Sequence, residues 1–406
     1  MQELSQTLDL IVIGGGAAGY FGAINYAKRN PEASILILEA SNKVLQKVRV
    51  SGGGRCNVTH FLFDPKEMVE FYPRGKKELL GPLNHFQPGD TMAWFGEYGV
   101  NLIPEEDNRM FPESNTSETI IQLFEQLVRD LGIKLKIQTR VTALRPCDSG
   151  WELEIQEGGN MKAKQVMLAA GGTTSFYPIL QKIGIQMIPP APSLFSFHFE
   201  DKSWLDGLAG NSLINLGVSV NLPQFKMEEE GPVVITHKGM SGPGILKLSA
   251  WGADVFRDMH YRFPIQLNFL SGLDLDSFEA YWSSFNSESL VSKGHFDIPK
   301  RTWGALIDKL GFTNFKSSEI KGSRAKLMFE SLSQFDVKVI GKSTHKEEFV
   351  TAGGIDLKEI NFKTMELKRF PGLYAAGELL NIDGLTGGFN FQAAWTGAFI
   401  AAENFR

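Results

Sequence analysis

The chain has 406 residues, of which 43% are hydrophobic and 21% are charged, and its formal net charge is −5. This composition is typical of a folded protein with two or three domains, and the acidic balance argues against a nucleic-acid surface. No apolar run approaches the roughly 18 residues of a membrane span, and the N-terminus lacks a signal-peptide pattern. The two cysteines, Cys56 and Cys147, fit a reducing compartment. We therefore expect a cytoplasmic protein with a small-molecule substrate and neither a membrane nor a nucleic-acid partner.

The N-terminal segment has the spacing of a strand–helix–strand unit. An apolar run predicts a strand at 10–13, small and apolar residues predict a helix at about 17–29, and a second apolar run predicts a strand at 34–39. The turn between the first strand and the helix is rich in glycine. This arrangement is the structural context in which a glycine-rich turn binds a dinucleotide.

Three glycines in that turn match the dinucleotide-binding fingerprint. Gly14 would permit the tight turn, Gly16 would let the backbone approach a pyrophosphate, and Gly19 would let the helix pack closely. Glu39 closes the second strand, where it would accept hydrogen bonds from ribose hydroxyls and repel a 2′-phosphate. The site therefore favours FAD or NAD over NADP. The remaining predicted contacts in this segment are Ala17, Ala18 and Ala40.

Later segments predict further α/β elements. Ser117 has the character of an N-cap, and apolar residues on one face predict a helix that ends at Gly132. A strand is predicted at 133–145, a half-buried strand at 151–156, and a buried strand that ends in the glycines of 166–172. These elements extend the first unit into a larger sheet.

The prolines at positions 189, 190 and 192 mark a change in composition and a domain boundary. Alternating strand patterns follow this boundary, and then Ser- and Phe-rich helical segments extend to about 334. We predict an α/β fold in which the residues from this boundary to about 345 form an inserted region. The predicted ranges are 1–188 with 346–406 for the Rossmann-like first domain, and 189–272 with 335–345 and 273–334 for the two parts of the insert.

The C-terminal segment distinguishes FAD from NAD. The strand and glycine of 373–378 end in Glu378, which would accept hydrogen bonds from ribityl hydroxyls. A helix that opens after Gly387 and Gly388 would direct backbone N–H groups at the flavin pyrimidine edge. The alternative is a buried strand followed by a capped core helix. The other cofactor-binding residues predicted here are Gly377, Asp383, Phe389 and Asn390.

Two internal segments add candidate cofactor contacts. The loop at 51–57 has three consecutive glycines and a fixed cation, which suit a pyrophosphate or the flavin edge. A strand end at 169–173 would face the cofactor, and Val141 either offers its backbone to adenine or is a core residue. Cys56 is either a small packed residue or a redox thiol. The predicted contacts are Ser51, Gly53, Gly54, Arg55, Cys56, Asn57, Val141, Ala170, Gly171 and Gly172.

A histidine and a serine precede a predicted helix in the segment 236–243. His237 would supply a proton and Ser241 would bind an oxygen of an electron acceptor. The alternative is a helix cap with a structural histidine. Arg109 is the third candidate for orienting or protonating the acceptor, and no metal site is predicted.

Taken together, these motifs resemble those of the YhiN/BaiN-type NAD(P)/FAD-dependent flavoproteins over nearly the full length. The resemblance implies a Rossmann-like FAD domain built from both chain ends, an inserted β-barrel-like domain and a small helical subdomain, and, in one branch, reduction of an enone. His60 departs from the usual asparagine of that pattern. The matching segments are 13–19, 51–59, 108–112, 236–243, 351–355 and 377–392.

We therefore predict an FAD-dependent oxidoreductase. It would pass hydride from transiently bound NAD(P)H through flavin N5 to a small organic acceptor, such as an enone C=C. One alternative is an FAD-dependent RNA-modifying enzyme, for which the basic clusters at 74–77 and 300–301 are the suggestive features. The other is a flavin-binding protein without turnover.

Overall fold

The computed structural model describes residues 7–156, 158–343 and 350–405. The chain divides into two compact units, one formed by Met1–Ala191 with Lys346–Arg406 and the other by Pro192–His345. The boundary predicted at residues 345 and 346 lies outside the described residues. The first unit is thus assembled from both ends of the chain.

Up to residue 192 the described part of the chain forms strands and helices in mixed order. The strands are β1 (Leu8–Ile13), β2 (Ile35–Leu38), β3 (Thr59–His60), β4 (Leu102–Pro104), β5 (Arg109–Pro112), β6 (Lys134–Lys136), β7 (Val141–Cys147), β8 (Gly150–Ile155), β9 (Asn160–Leu168) and β10 (Met187–Pro192). The helices are α1 (Ala17–Arg29), α2 (Gln46–Gly54), α3 (Pro65–Met68), α4 (Lys76–His85), α5 (Pro88–Glu97), α6 (Glu118–Asp130) and α7 (Tyr177–Lys182).

The remaining elements belong to the insert and to the C-terminal return. The insert contains β11 (Ser196–Phe199), β12 (Ser212–Leu222), β13 (Phe225–Thr236), β14 (Gly239–Ser241), α8 (Pro243–Asp258), β15 (Phe263–Asn268), α9 (Leu275–Ser283), α10 (Lys300–Lys309), α11 (Ser323–Ser333) and β16 (Phe335–Ser343). The return contains β17 (Thr351–Ile355), β18 (Ile360–Asn361), β19 (Glu366–Leu367), β20 (Leu373–Ala375) and α12 (Phe389–Asn404).

A central sheet organises the first unit. Its strand order is β18-β19-β20-β9-β1-β2-β6, and β1 lies parallel to both β2 and β9 while β20 lies parallel to β9. Strand β2 is apolar and wholly buried, and so is β1 after its partly buried first two residues, Leu8 and Asp9, as strands covered on both faces must be. Because these strands are parallel, their carboxyl ends meet at one edge of the sheet, where ligands bind in open α/β folds.

Helices α1 and α12 pack against each other and are both mostly buried. Small residues along them permit the close approach, and an aromatic cluster fills the remaining space. In this cluster the Phe21 ring lies 4.6 Å from that of Trp94 and 5.2 Å from that of Trp395. None of the described helices is both long and apolar enough to cross a membrane.

The second unit is built on a closed β-barrel with the strand order β11-β14-β13-β12-β15-β16. Alternate residues point into the barrel, so that Phe263 and Ile265 are buried while Pro264 between them is exposed. Helices α9 to α11 bury Trp282 and Trp303 in the same hydrophobic core. The predicted fold class, including the inserted barrel, is confirmed.

Two local predictions differ from the structure. The single strand predicted at 133–145 is wrong, because Gln138 adopts a left-handed conformation (φ 52°) and separates β6 from β7. Ser117 does precede helix α6, but its hydroxyl donates to the Arg49 carbonyl (2.9 Å) instead of capping the helix. Both differences come from long-range contacts that local patterns do not contain.

Candidate cofactor site

Three strand ends converge at the carboxyl edge of the central sheet. The Ala169 N–H donates to the Ile13 carbonyl (2.8 Å), and the Ala376 N–H donates to the Leu168 carbonyl (3.1 Å). The turns that follow β1, β9 and β20 are therefore neighbours although they are far apart in sequence. Three segments that were predicted to bind the cofactor therefore lie at this edge, namely Gly14 to Gly19, Ala170 to Gly172, and Gly377 with Glu378.

The three fingerprint positions require glycine for different reasons. A Cβ on Gly14 (φ +117°) would lie 2.2 Å from the Ala169 carbonyl oxygen, and a Cβ on Gly19 would lie 2.0 Å from the Gly14 oxygen. Packing within the protein thus requires glycine at both positions. A Cβ on Gly16 would meet no atom within 4 Å. The space beside Gly16 is open, as a bound pyrophosphate requires.

Glu39 is fixed beside this turn. Its two carboxylate oxygens accept hydrogen bonds from the backbone N–H of Gly15 (2.8 Å) and of Ser41 (2.7 Å). The side chain remains partly exposed, so that its unused lone pairs are available to ribose hydroxyls. The geometry is consistent with the predicted ribose contact.

Replacing Glu39 by alanine is expected to weaken FAD binding by roughly 10- to 100-fold, because it removes both the ribose acceptor and the charge-assisted hydrogen bonds to the turn. Titration of the apoprotein with FAD, followed by flavin fluorescence, measures the change. Glu32→Ala is the matched control, because Glu32 is an exposed carboxylate in the turn before β2. An unchanged Kd for Glu39→Ala would remove this residue from the site.

Glu378 joins two parts of the site. One carboxylate oxygen accepts from the Thr351 N–H (2.8 Å), and the other contacts the Lys47 ammonium (2.5 Å). A Cβ on Gly172 would lie 2.3 Å from the Thr351 hydroxyl. The Thr351 and Tyr177 hydroxyls are buried and have no hydrogen-bond partner among the described residues. Unsatisfied buried hydroxyls are costly, and a polyhydroxylated ligand such as the ribityl chain of FAD fits this donor set.

The start of α12 forms the opposite end of the site. A Cβ on Gly388 (φ +93°) would lie 2.3 Å from the Thr59 carbonyl oxygen, and His60 Nδ1 lies 2.9 Å from the Gly387 carbonyl oxygen. The Phe389 ring stacks on His60 with a centroid distance of 4.5 Å and is buried. Phe389 could therefore contribute its backbone N–H, which the first turn of a helix leaves free.

Asp383 and Asn390 support the turn that precedes α12. Both oxygens of the fully buried Asp383 carboxylate accept from the Arg74 guanidinium, one of them at 2.5 Å. The Asn390 amide bonds the backbone of Gly384 in both directions, at 2.9 and 2.8 Å. Burial and Arg74 engage the Asp383 carboxylate, so that its direct contact with the cofactor stays a prediction and its ion pair supports the turn. The Asn390 side chain is likewise occupied.

The last residues of α2 leave the helical conformation and have the backbone freedom that their sequence predicts. The extended Ser51 interrupts the helix, and the next three residues have positive φ values of 57°, 70° and 85°. A Cβ on Gly52 would strike the Phe111 ring, whereas a Cβ on Gly53 would meet no atom within 4 Å. Gly53 thus leaves open space beside the backbone, while Gly52 is required by packing. Asn57 is nearly buried.

Two predicted cations converge on one acid. Arg55 contacts Glu105 at 2.5 Å, and Arg109 contacts the same carboxylate at 3.1 Å and Asp107 at 2.6 Å. The two guanidinium groups also lie near the Phe111 ring, at 3.9 Å for Arg55 and 5.5 Å for Arg109. Both side chains are therefore held in place by ion pairs and by the ring.

The Cys56 thiol is fully buried, and burial raises its pKa to about 12. Because only the thiolate is nucleophilic, the native thiol is expected to be inert. A thiol-disulfide exchange reagent at pH 8 should label one cysteine in the native protein, the partly exposed Cys147, and both after denaturation. Rapid labelling of Cys56 in the native protein would instead support a redox role.

The catalytic candidates fall in both units. Arg109 belongs to the first unit, whereas His237 and Ser241 belong to the β13–β14 hairpin of the barrel. His237 is exposed, and the Ser241 hydroxyl accepts from the Ser196 hydroxyl (2.7 Å). Their roles remain predictions.

The remaining predicted contacts differ in exposure. Ala18 is buried, and a Cβ on Gly377 would lie 3.0 Å from its methyl group, so Ala18 packs the helix against the last strand. Val141 is buried at the start of β7, whereas Ala40 is exposed. Ala18 and Val141 could offer a ligand only their backbones.

Sequence reasoning missed several residues that shape this site. Lys47 pairs with Glu378, and Arg74 pairs with Asp383, across more than 300 residues of sequence. No local pattern marks such partners. The sequence contained a signal for two of these residues. Thr351 lies in a segment that matches the family pattern, and His60 stands where that pattern usually has asparagine. Neither signal indicated which contact the residue makes.

The HI0933-like protein Rossmann domain family matches residues 8–404. The chain belongs to this family. Its members are FAD-dependent oxidoreductases, and the resemblance drawn from the motifs is confirmed. The open space beside Gly16 fits the pyrophosphate of FAD, the cofactor of this family.

Characterised relatives span essentially the whole chain. The ribosomal RNA dihydrouridine synthase of Escherichia coli is 24% identical over 98% of both chains. The 3-dehydro-bile acid delta(4,6)-reductase of Clostridium scindens is 25% identical over 97% of both chains. The structure of 3-ketosteroid delta1-dehydrogenase from Sterolibacterium denitrificans has 10% identity, covers 99% of both chains and has a TM-score of 0.52, which supports the shared fold.

The expectation of no nucleic-acid partner is wrong. Two full-length relatives, from Escherichia coli and Haemophilus influenzae, are named ribosomal RNA dihydrouridine synthases, and such an enzyme acts on RNA. The expectation rested on the net charge of −5. A net charge averages over the whole surface and does not exclude a local basic region.

Proposed function

We propose that this protein reduces a C=C bond conjugated to a carbonyl group, with a uridine base in RNA as its substrate and NAD(P)H as the electron donor. The observation that carries the proposal is that the FAD cradle occurs in a chain aligned over its full length with relatives that share this chemistry. Dihydrouridine differs from uridine by two hydrogens across a C=C bond conjugated to a carbonyl. A 3-dehydro-bile acid reductase acts on C=C bonds of a ketone.

The reaction adds one hydride and one proton to the C=C bond. The hydride goes to the carbon β to the carbonyl, the electron pair moves toward the carbonyl oxygen, and a proton goes to the α carbon. FAD, when bound, supplies the hydride from N5. The protein must therefore hold the cofactor, polarise the carbonyl and deliver one proton.

The proposed cofactor contacts follow from the geometry of the first unit. The open backbone at Gly16 and the N-terminus of α1 would hold the pyrophosphate, and Glu39 would hold the adenosine ribose. Glu378 and the Thr351 hydroxyl suit the ribityl chain. The first turn of α12 would face the flavin pyrimidine edge with free N–H groups.

The acid–base roles rest on fewer residues. His237 is our candidate proton donor because its imidazole is exposed, and the Ser241 hydroxyl can donate to a carbonyl oxygen. Arg109 is already bound by two acids and is better suited to orienting the substrate than to donating a proton. NAD(P)H would bind transiently, since the sequence contains one Gly-x-Gly-x-x-Gly motif after a strand.

Anaerobic spectroscopy tests this proposal. NADH or NADPH should bleach the absorbance of the bound flavin, and a uridine-containing ribosomal RNA transcript should restore it. A transcript in which every uridine is already replaced by dihydrouridine is the matched control and should leave the flavin reduced. Restoration by both transcripts, or by neither, would contradict uridine reduction.

A small enone is the second candidate substrate, because the bile-acid reductase is as similar to this chain as the RNA enzymes are. A 3-keto-4-ene steroid added to the reduced protein separates the two candidates. Restoration of the flavin absorbance by the steroid at low concentration, with no response to RNA, would assign the small substrate.

A further inference from the structure

Strand β11 lies between β14 and β16 in the barrel, and three lysines surround it. Lys342 on β16 pairs with Phe197, and the Lys238 carbonyl accepts from the Phe199 N–H (2.8 Å). Lys202 follows the end of β11 by three residues. Phe197 and Phe199 are buried in the barrel, whereas Lys202 and Lys238 are exposed.

Arg262 adds a fourth cation, next in the chain to the ring that Lys342 contacts. The Lys342 ammonium is 4.8 Å from the centre of the Tyr261 ring, and the exposed Arg262 is the next residue in the chain. Burial lowers the pKa of Lys342, which is partly covered. We call Lys202, Lys238, Arg262 and Lys342 the barrel cation cluster.

The three lysines all lie near His198. It lies on β11, between Gly239 of β14 and Gly341 of β16, and its Nε2 atom is 2.5 Å from the Ser343 hydroxyl. Burial lowers the pKa of His198, and so do the charges of Lys238, Lys202 and Lys342. All three ammonium groups are thus close enough to influence one imidazole.

None of the four cations has an ion pair among the described residues. Two carboxylates that precede Lys202 directly in sequence are occupied by other partners. Glu200 pairs with Lys338 (2.7 Å), and Asp201 pairs with Lys309 (2.5 Å). The cluster is therefore a local excess of positive charge on a protein with a net charge of −5.

We propose that the barrel cation cluster binds the phosphate backbone of the RNA substrate. This inference rests on the proposed function. Unpaired lysine and arginine side chains on one surface are the electrostatic footprint of nucleic-acid binding. His237 directly precedes Lys238, so an RNA strand held by the cluster would lie beside the candidate proton donor.

RNA fits this surface better than an anionic membrane does. Peripheral membrane binding combines cations with exposed apolar side chains that enter the lipid. Among the described residues, the exposed large hydrophobic side chains lie outside β11, β14 and β16; they are Phe61, Phe63, Ile103, Leu135, Ile137, Ile214 and Leu327. The cluster therefore offers charge without an apolar anchor.

The test is the triple variant Lys202→Gln, Lys238→Gln and Arg262→Gln, which leaves the partly buried Lys342 in place. The control is Lys134→Gln, Lys136→Gln and Lys162→Gln, which removes the same charge from exposed positions of the first unit. Binding of a fluorescein-labelled ribosomal RNA fragment is measured between 50 and 200 mM salt, a range over which four phosphate contacts should change the affinity by about a hundredfold. FAD content and NAD(P)H oxidation check that the variants are intact.

The wild-type protein and the control should bind the fragment alike, and the triple variant should bind roughly tenfold or more weakly, with a salt slope lower by about 2. Equal binding by the triple variant and the wild type would overturn the inference. Binding of phosphatidylserine vesicles in preference to RNA would also overturn it. Dihydrouridine formation by the wild type is assayed separately, so that a misplaced RNA surface is distinguishable from a wrong reaction.

Discussion

Replacing Gly16 by valine is expected to abolish FAD binding while leaving the apoprotein folded. Gly16 has an extended backbone (φ −94°), which valine readily adopts, and its Cβ position meets no protein atom within 4 Å. The new side chain would occupy the space assigned to the pyrophosphate. We expect the Kd for FAD to rise at least about 100-fold, equivalent to about 2.8 kcal/mol. Fluorescence titration of the apoprotein measures the Kd, and urea unfolding of the apoprotein measures the fold.

Gly96→Val is the matched control, because a Cβ on Gly96 of helix α5 also meets no atom within 4 Å. It should bind FAD as the wild type does. Gly14→Ala provides the contrasting case, since its Cβ would collide with the Ala169 carbonyl, and FAD binding should be lost together with stability. A Gly16→Val variant with wild-type affinity for FAD would refute the assigned cradle.

Replacing Arg74 by alanine is expected to lower the free energy of unfolding by about 3–5 kcal/mol, because it leaves the fully buried Asp383 carboxylate without its cation. The loss should be visible in the urea midpoint of the apoprotein. FAD affinity should also fall, because Asp383 precedes the turn that opens α12. The second effect arises from positioning, since Arg74 itself is not among the assigned cofactor contacts.

Lys76→Ala is the control for this prediction. Lys76 forms an exposed pair with Glu70 only two residues from Arg74, and exposed pairs contribute at most about 1 kcal/mol. The double variant Arg74→Met with Asp383→Leu should be more stable than the two single losses predict, because it removes both buried charges. A loss below about 1 kcal/mol for Arg74→Ala would contradict the buried ion pair.

The sequence predicted the parts of this molecule that follow from local spacing. The strand, glycine turn and helix around Gly14 to Gly19 have a fixed period, and Glu39 lies at the expected distance in the sequence. The alternating apolar residues of the insert likewise predicted strands, whereas the prediction of a barrel came from the family resemblance. In these segments the local pattern and the tertiary packing require the same residues.

The remainder depended on contacts between distant residues. In the sequence, Asp383 has no visible partner and was predicted to contact the cofactor. Its partner Arg74 is 309 positions away and comes close to it only in the folded chain. The net charge wrongly argued against a nucleic-acid partner. It sums all charges, whereas ion pairs neutralise some charged side chains on the surface and leave other cations unpaired. Lys202 and Lys238 are ordinary lysines in sequence, and they form a cluster only when β11 lies between its neighbouring strands.

The most direct test of the central claim is analysis of the product. The FAD-loaded protein is incubated with NADPH or NADH and a uridine-containing ribosomal RNA transcript, and the nucleosides are then analysed by mass spectrometry. We predict dihydrouridine, a uridine that has gained two hydrogens, in an amount equal to the NAD(P)H consumed, and none with Gly16→Val. An unchanged transcript from a protein whose FAD is fully reduced would contradict uridine reduction.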